Sequence, residues 1–279
     1  MNVKINTKRK RPLSKPLRFI IILMAVIALI HIFNALFWGA VVEYKHVTFR
    51  SERIPPEMSG YKIAFVSDVH YVSAAKLEEI VREINALEVD LLLLGGDFAE
   101  RGCPWDSIEI LSQTKAADGI FGVEGNHDDY EFLLSAKTTH NIAMLCNTGL
   151  HIRDNFFLAG VEDLWNRNAN IAQAISGANP DDFILLLAHN PDVTMRQDTA
   201  NIDLILSGHT HGGEITFFGV WAPALSFVSN YGHRFHSGWA KSRDGAPVFV
   251  SNGIGAHSVR VFARPQVIII TLYSIDTAS

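Results

Sequence analysis

The sequence reads as an α/β protein, two packed sheets flanked by helices, behind one long apolar N-terminal helix. Three observations carry this reading. Short apolar runs of strand length recur through residues 61–273. Segments with helical spacing separate several of them. Residues 19–42 carry no formal charge at all.

Taken in order, the chain opens with a basic segment, residues 1–18. It holds Lys4, Lys8, Arg9, Lys10, Arg11, Lys15 and Arg18, and no acid. Residues 19–42 follow, roughly 36 Å long as a helix, enough to cross a hydrocarbon core about 30 Å thick. A cleaved signal peptide has a shorter apolar region, about 7–15 residues, and no small-x-small site follows this one. The positive-inside rule keeps such an N-terminus in the cytoplasm and sends the body across. The expectation is a single-pass cell-membrane protein with its globular body outside the cytoplasm. The basic cluster also suits anionic lipid headgroups.

Residues 43–60 read as a linker ending in Ile54-Pro55-Pro56-Glu57, and residues 61–279 as the globular domain. Tyr61-Lys62-Ile63-Ala64-Phe65-Val66-Ser67 has a buried-strand pattern. Residues 74–87 place Leu77, Ile80, Val81, Ile84 and Leu87 at helical spacing, and residues 91–94 form a second strand. Together they make one βαβ-like unit. Further strands are expected at 119–123, 142–146, 156–161, 183–188, 202–206, 247–250 and 267–272. Helices are expected near 105–115, 129–136, 168–176 and 192–197.

Composition excludes some classes. With 48% hydrophobic residues the chain is not disordered. The net charge is −5, and setting aside the seven N-terminal positive charges leaves −12 for the rest. An acidic body disfavours nonspecific nucleic-acid binding, so no nucleic-acid partner is expected. Two cysteines, Cys103 and Cys146, are too few for a disulfide framework or a thiolate zinc site.

The chemistry lies where apolar runs end. Asp68-Val69-His70 closes the first strand and Gly96-Asp97 the second. Gly125-Asn126-His127-Asp128, His189 and Gly208-His209-Thr210-His211-Gly212-Gly213 follow later strands. Asp, Asn and His are hard or borderline donors suited to divalent ions that activate water. In an extended segment residues two apart share a face, so His209 and His211 can reach neighbouring ions. Each histidine alone is more often a hydrogen-bonded surface residue; their joint placement at strand ends is what points to a metal site.

These motifs resemble the calcineurin-like metallophosphoesterase superfamily over roughly 61–273. Val250-Ser251-Asn252-Gly253-Ile254-Gly255 and Arg260-Val261-Phe262-Ala263-Arg264-Pro265 are similar to its membrane-anchored, YkuE-like bacterial branch. The resemblance implies a four-layer αββα sandwich and two divalent ions, Mn2+, Fe2+, Zn2+, Co2+ or Mg2+. It implies Asp68, His70, Asp97 and His211 for the first ion, with Asp97 bridging to a second completed by Asn126, His189 and His209. His127 is the implied general acid or stabiliser of the leaving oxygen.

Gly96-Asp97-Phe98-Ala99-Glu100-Arg101-Gly102 resembles the Gly-Asp-x-x-Asp-Arg-Gly segment of the protein-phosphatase branch. There the second Asp orients the catalytic His and the Arg binds phosphate, so Glu100 and Arg101 are candidate supports. The bland reading is a solvated salt-bridging pair. His233, His236 and His257 fall outside the signature and read as structural or substrate-facing. Phe217-Phe218-Gly219-Val220-Trp221 and Leu225-Ser226-Phe227-Val228 read either as core or as an acyl-chain or membrane-facing surface.

The expected function is hydrolysis of a phosphoester, phosphodiester or pyrophosphate by metal-activated hydroxide. Some relatives cleave UDP-2,3-diacylglucosamine, so a lipid-linked substrate is one expectation. The alternatives are a phosphoprotein or small-molecule phosphomonoesterase, and a noncatalytic metal-binding regulator.

Overall fold

A computed structural model describes residues 13–98, 106–128, 136, 138–166, 168–255 and 259–275. Lys4 and the basic run 8–11, Glu100, Arg101, Cys103, His257 and most of the helix expected at 129–136 lie outside the described residues.

The strands in chain order are β1 (Glu43–Ser51), β2 (Lys62–Val66), β3 (Leu91–Leu94), β4 (Ile120–Gly122), β5 (Ala143–Met144), β6 (Thr148–Arg153), β7 (Phe156–Gly160), β8 (Phe183–Leu187), β9 (Leu204–Ser207), β10 (Gly238–Lys241), β11 (Pro247–Val250) and β12 (Gln266–Ser274). They form two six-stranded sheets, ordered β1-β12-β2-β3-β4-β5 and β10-β11-β9-β8-β7-β6. Within the first, β2, β3, β4 and β5 run parallel; within the second, β7, β8, β9 and β11 do.

Side chains alternate along these strands, so each sheet buries two faces. From β2 and β3, Ile63, Phe65, Leu91 and Leu93 enter the space between the sheets. There they meet Phe156, Leu158, Phe183, Leu185, Leu204 and Leu206. Their neighbours Ala64, Val66, Leu92 and Leu94 face outward. Helix α2 (Ala74–Ala86) covers that outer face with Leu77, Ile80, Val81 and Ile84, and Ser73 caps it by accepting from the Lys76 amide at 3.4 Å. On the far side, Ile184, Leu186, Ile205 and Val248 pack under short helical turns at Ile171–Ala174 and Val193–Arg196. The result is the expected αββα layering. Burial of both sheet faces explains why the strands read as continuous apolar runs.

The segment 43–60 is not a linker throughout. Residues Glu43–Ser51 are β1, an edge strand paired in parallel with all of β12. Val47 and Phe49 pack on the inter-sheet core, while Lys45, His46, Thr48 and Arg50 interrupt any apolar run. β6 and β10 were hidden by the same polar dilution at sheet edges.

The apolar N-terminal helix is α1 (Lys15–Phe37), with Pro16 in its first turn. It stops at Phe37 rather than continuing to residue 42, because residues 38–42 turn into β1. It is about 34 Å long, and none of its residues is fully buried. Ile27, His31, Asn34 and Ala35 are half-buried, a spacing that marks one face leaning on the body.

Candidate metal centre

All the sequence-derived donors converge where parallel strands end. Asp68 follows β2, Asp97 follows β3, Asn126 follows β4, His189 follows β8, and His209 and His211 follow β9. This is the carboxyl edge at which open α/β sheets place their ligands. Asp68, His70, Asp97, His209 and His211 all have positive φ, between 44° and 69°. Asp and His tolerate that region better than most residues, and such strain gathers at functional sites.

The glycines of the motifs make room for this crowding. A Cβ at Gly125 would collide with Asp97 Oδ1, and one at Gly208 with Ser67 Oγ and Asp68 Oδ2.

Two overlapping donor groups result. Asp68, His70, Asp97 and His211 form one, and Asp97, His189 and His209 the other, with ligand atoms within 4.8 Å inside each. Asp97 belongs to both. Asp68 Oδ1 accepts from the His209 amide at 2.9 Å and lies 3.3 Å from His211 Nε2. Asp97 Oδ2 lies 3.2 Å from His189 Nε2 and 3.5 Å from His70 Nε2.

Hydrogen bonding outside the cluster shows that the donor set fits a cation. His189 Nδ1 donates to the Gly95 carbonyl at 2.8 Å, so in the neutral ring Nε2 carries a lone pair. His209 Nε2 donates to the Val228 carbonyl at 2.9 Å, which leaves a lone pair on its Nδ1. These two lone pairs face each other at 3.2 Å, with Asn126 Oδ1 3.2 Å and Asp97 Oδ2 3.2 Å from His189 Nε2. Four acceptors therefore meet, and one proton on His189 could satisfy only some of them. In the other group, His211 Nδ1 donates to Glu214 Oε1 at 2.8 Å, turning its Nε2 lone pair toward Asp68 and His70. Orientation of ligating imidazoles by such outer partners is general in metal sites.

The electrostatics agree. Asp68 and Asp97 are 0% and 2% exposed. Burial pushes both carboxyls up, yet the surrounding imidazoles hold both well below the usual range. Burial pushes His189 down, but Asp97 outweighs it and raises His189 to about 10; Asp68 likewise raises His211 to about 9. Burial and the His189 charge press His209 to about 3. The carboxylates demand positive charge, and a divalent ion supplies it without setting one imidazolium against another.

His127 is exposed on the cleft rim, with its backbone amide bonded to Asp97 Oδ1 at 2.9 Å and its ring 5.2 Å from that of His70. Asp97, Asn126, His127, Trp165, His209 and Val228 are among the residues lining the cleft, whose volume is ≈ 190 Å³. Three contributors escaped the sequence reading. Asp128 lay inside a recognised motif without a role, and accepts from the amides of Asp97, Phe98 and Gly125. Glu214 follows His211 by three residues, its only local signal. Arg260 is buried and donates to the carbonyls of His211, Ala263, Asn252 and Gly255. His236 takes a structural place, its Nε2 2.9 Å from the Gly212 carbonyl, while His233 is exposed against Trp221.

Two sheets meeting at a mixed Asp, Asn and His cluster have the architecture of the metallophosphoesterases. The chain belongs to the calcineurin-like phosphoesterase family, whose model matches residues 61–213. It is 30% identical over 244 residues to a bovine (Bos taurus) transmembrane protein with a metallophosphoesterase domain, covering 77% of this chain and 53% of that protein. It is 27% identical over 257 residues to the uncharacterized metallophosphoesterase YkuE of Bacillus subtilis, covering 84% of this chain and 86% of the relative. That likeness supports a YkuE-like branch. The chain spans about half the length of the bovine relative. Among solved structures, TT1561 of Thermus thermophilus is similar over 70% of this chain and 91% of its own, with 15% identity and a TM-score of 0.48.

Proposed function

We propose that the chain is a membrane-anchored phosphohydrolase with two divalent ions, cleaving a phosphoester, phosphodiester or pyrophosphate; the anchor makes a lipid-linked substrate one candidate, and UDP-2,3-diacylglucosamine fits only a catalytic body that faces the cytoplasm. The observation that carries the reading is the sharing of Asp97 between two donor groups. Asp68, His70, Asp97 and His211 would hold the first ion, and Asp97, Asn126, His189 and His209 the second. Such a pair supplies Lewis acidity toward a phosphoryl oxygen and an activated water. A mixed N/O set without sulfur suits Mn2+, Fe2+, Zn2+, Co2+ or Mg2+.

The chain's own groups do the rest. Asp97, which lines the cleft, and Asp68 are both nearly inaccessible to water and would neutralise the charge of the ions. His127, exposed beside Asn126 and pinned through its amide to Asp97, delivers a proton to the leaving oxygen. Helix α1 anchors the body, with Lys15 and Arg18 among the basic residues that hold the N-terminus in the cytoplasm.

The test is hydrolysis of aryl phosphate mono- and diesters with added Mn2+. Activity that depends on metal and is lost in Asn126→Ala is expected. Absence of metal-dependent cleavage of any phosphoester would overturn the reading. Protease protection in intact cells tests the orientation.

A further inference from the structure

We propose that the uncharged segment 215–228 is inserted in the bilayer beside α1, in the leaflet that holds the C-terminal end of that helix. The inference rests on α1 being the membrane anchor, and adds that the body dips into the membrane rather than standing off it.

The depth follows from the contacts of α1. Residues 19–37 carry no charge and make about 28 Å of helix, so nearly all of it is needed to cross a core about 30 Å thick. The body does not touch only the end of this helix. His31 lies six residues, about 9 Å, before Phe37. Its ring packs among Phe217, Phe218 and Phe262, with centroids 5.3, 4.6 and 5.1 Å away. One turn later Asn34 Oδ1 accepts from the Phe262 amide at 2.6 Å. At the helix end Arg264 sits over the Trp38 ring at 4.9 Å, a pair suited to the headgroup layer. Loops touching His31 therefore lie below the level marked by Trp38 and Arg264.

The same loops carry the side chains that insertion requires. No residue from 215 to 228 is charged. Phe227 is 84% exposed and Val220 77%, and Phe217 and Trp221 are also exposed. Exposed aromatic and aliphatic side chains mark an interaction face; here Phe217 and Phe218 touch the membrane helix through His31, while Thr216, Ala222 and Leu225 root the segment in the body. The acidic body gives no reason for attraction to anionic lipid, so the contact is apolar and should form on zwitterionic bilayers.

Insertion would set the cleft at headgroup depth. Phe227 points out of the body, while its neighbour Val228 lines the cleft and accepts from His209 Nε2. A wall of the site is thus one residue from the inserted surface.

The test uses the full chain with Cys103 and Cys146 replaced by Ser, reconstituted in phosphatidylcholine bilayers. Single cysteines carrying a nitroxide label are placed at Phe227→Cys, Val220→Cys, Leu29→Cys in α1 and Asp154→Cys in the distant β6–β7 turn. Collision rates with oxygen and with a water-soluble nickel chelate are compared. An oxygen-to-nickel ratio at 220 and 227 several-fold above that at 154, and near that at 29, is expected. Label 29 in lipid with 220 and 227 in water overturns the insertion and leaves the anchor standing. Low collision with both reagents at 220 and 227 shows coverage by protein, a second copy included, and overturns it too. If label 29 is itself in water, anchor and insertion fall together.

Discussion

Asp128 accepts the backbone amide of Asp97 at 2.8 Å through Oδ2, and the same oxygen accepts the Gly125 amide at 2.8 Å. Oδ1 takes the Phe98 amide, also at 2.8 Å. One carboxylate thereby ties the loop after β3 to the loop after β4, and fixes the left-handed turn from which Asp97 reaches both donor groups. Asp128→Ala frees three amides and removes that tie. Loss of outer partners in metal sites typically costs about 10–100-fold in affinity or activity. The expected outcome is a fall of that order in metal affinity by titration calorimetry, with the fold retained by circular dichroism. Unchanged affinity would show that the loops hold themselves.

The convergence of these donor residues was legible in the sequence because each follows an apolar run and therefore sits at a strand end. Helix α2 was legible from the spacing of Leu77, Ile80, Val81 and Ile84. β1 was not, since its Val47 and Phe49 alternate with polar residues at a sheet edge. Nor were Glu214 and Asp128, whose partners are a ring nitrogen and three amides brought close only by the folded loops. The role of Arg260 is only partly long-range: its acceptors Ala263, Gly255 and Asn252 lie within eight residues of it, and the His211 carbonyl alone is distant in the chain.

Glu214 offers a second test. Its Oε1 receives His211 Nδ1–H at 2.8 Å and so aims His211 Nε2 into the first donor group. Glu214→Ala should lower metal occupancy or activity by about 10–100-fold. Glu214→Gln keeps an acceptor oxygen and should recover most of the loss. Equal damage from both variants would point to charge rather than ring orientation; the comparison is read by metal analysis and kcat/KM together.

His127 separates proton delivery from metal binding. Its side chain is exposed on the rim, and its backbone amide engages Asp97. His127→Ala keeps that amide, so it should retain bound metal while kcat falls by roughly 10²–10⁴-fold, the usual range for a positioned general acid. The loss should be greatest for alkyl phosphates, whose leaving oxygen needs a proton, and smallest for nitrophenyl esters, whose leaving group does not. A loss independent of leaving group would remove the proton-donor role.

Metal removal should destabilise the fold as well as stop the reaction. Asp68 and Asp97 are nearly inaccessible to water, and four imidazoles crowd them. A ligand that binds only the native state stabilises it by RT ln(1 + [L]/Kd), about 2.7 kcal/mol at one hundred times Kd. Treatment with a chelator should lower the melting temperature, and adding back Mn2+ or Zn2+ should restore it in proportion to the logarithm of free ion. The control is Asp97→Asn, which weakens the oxygen shared by both donor groups. Its melting temperature should respond far less to added metal than that of the parent chain. If scanning calorimetry finds equal responses, the ions are binding elsewhere and the shared-carboxylate assignment fails.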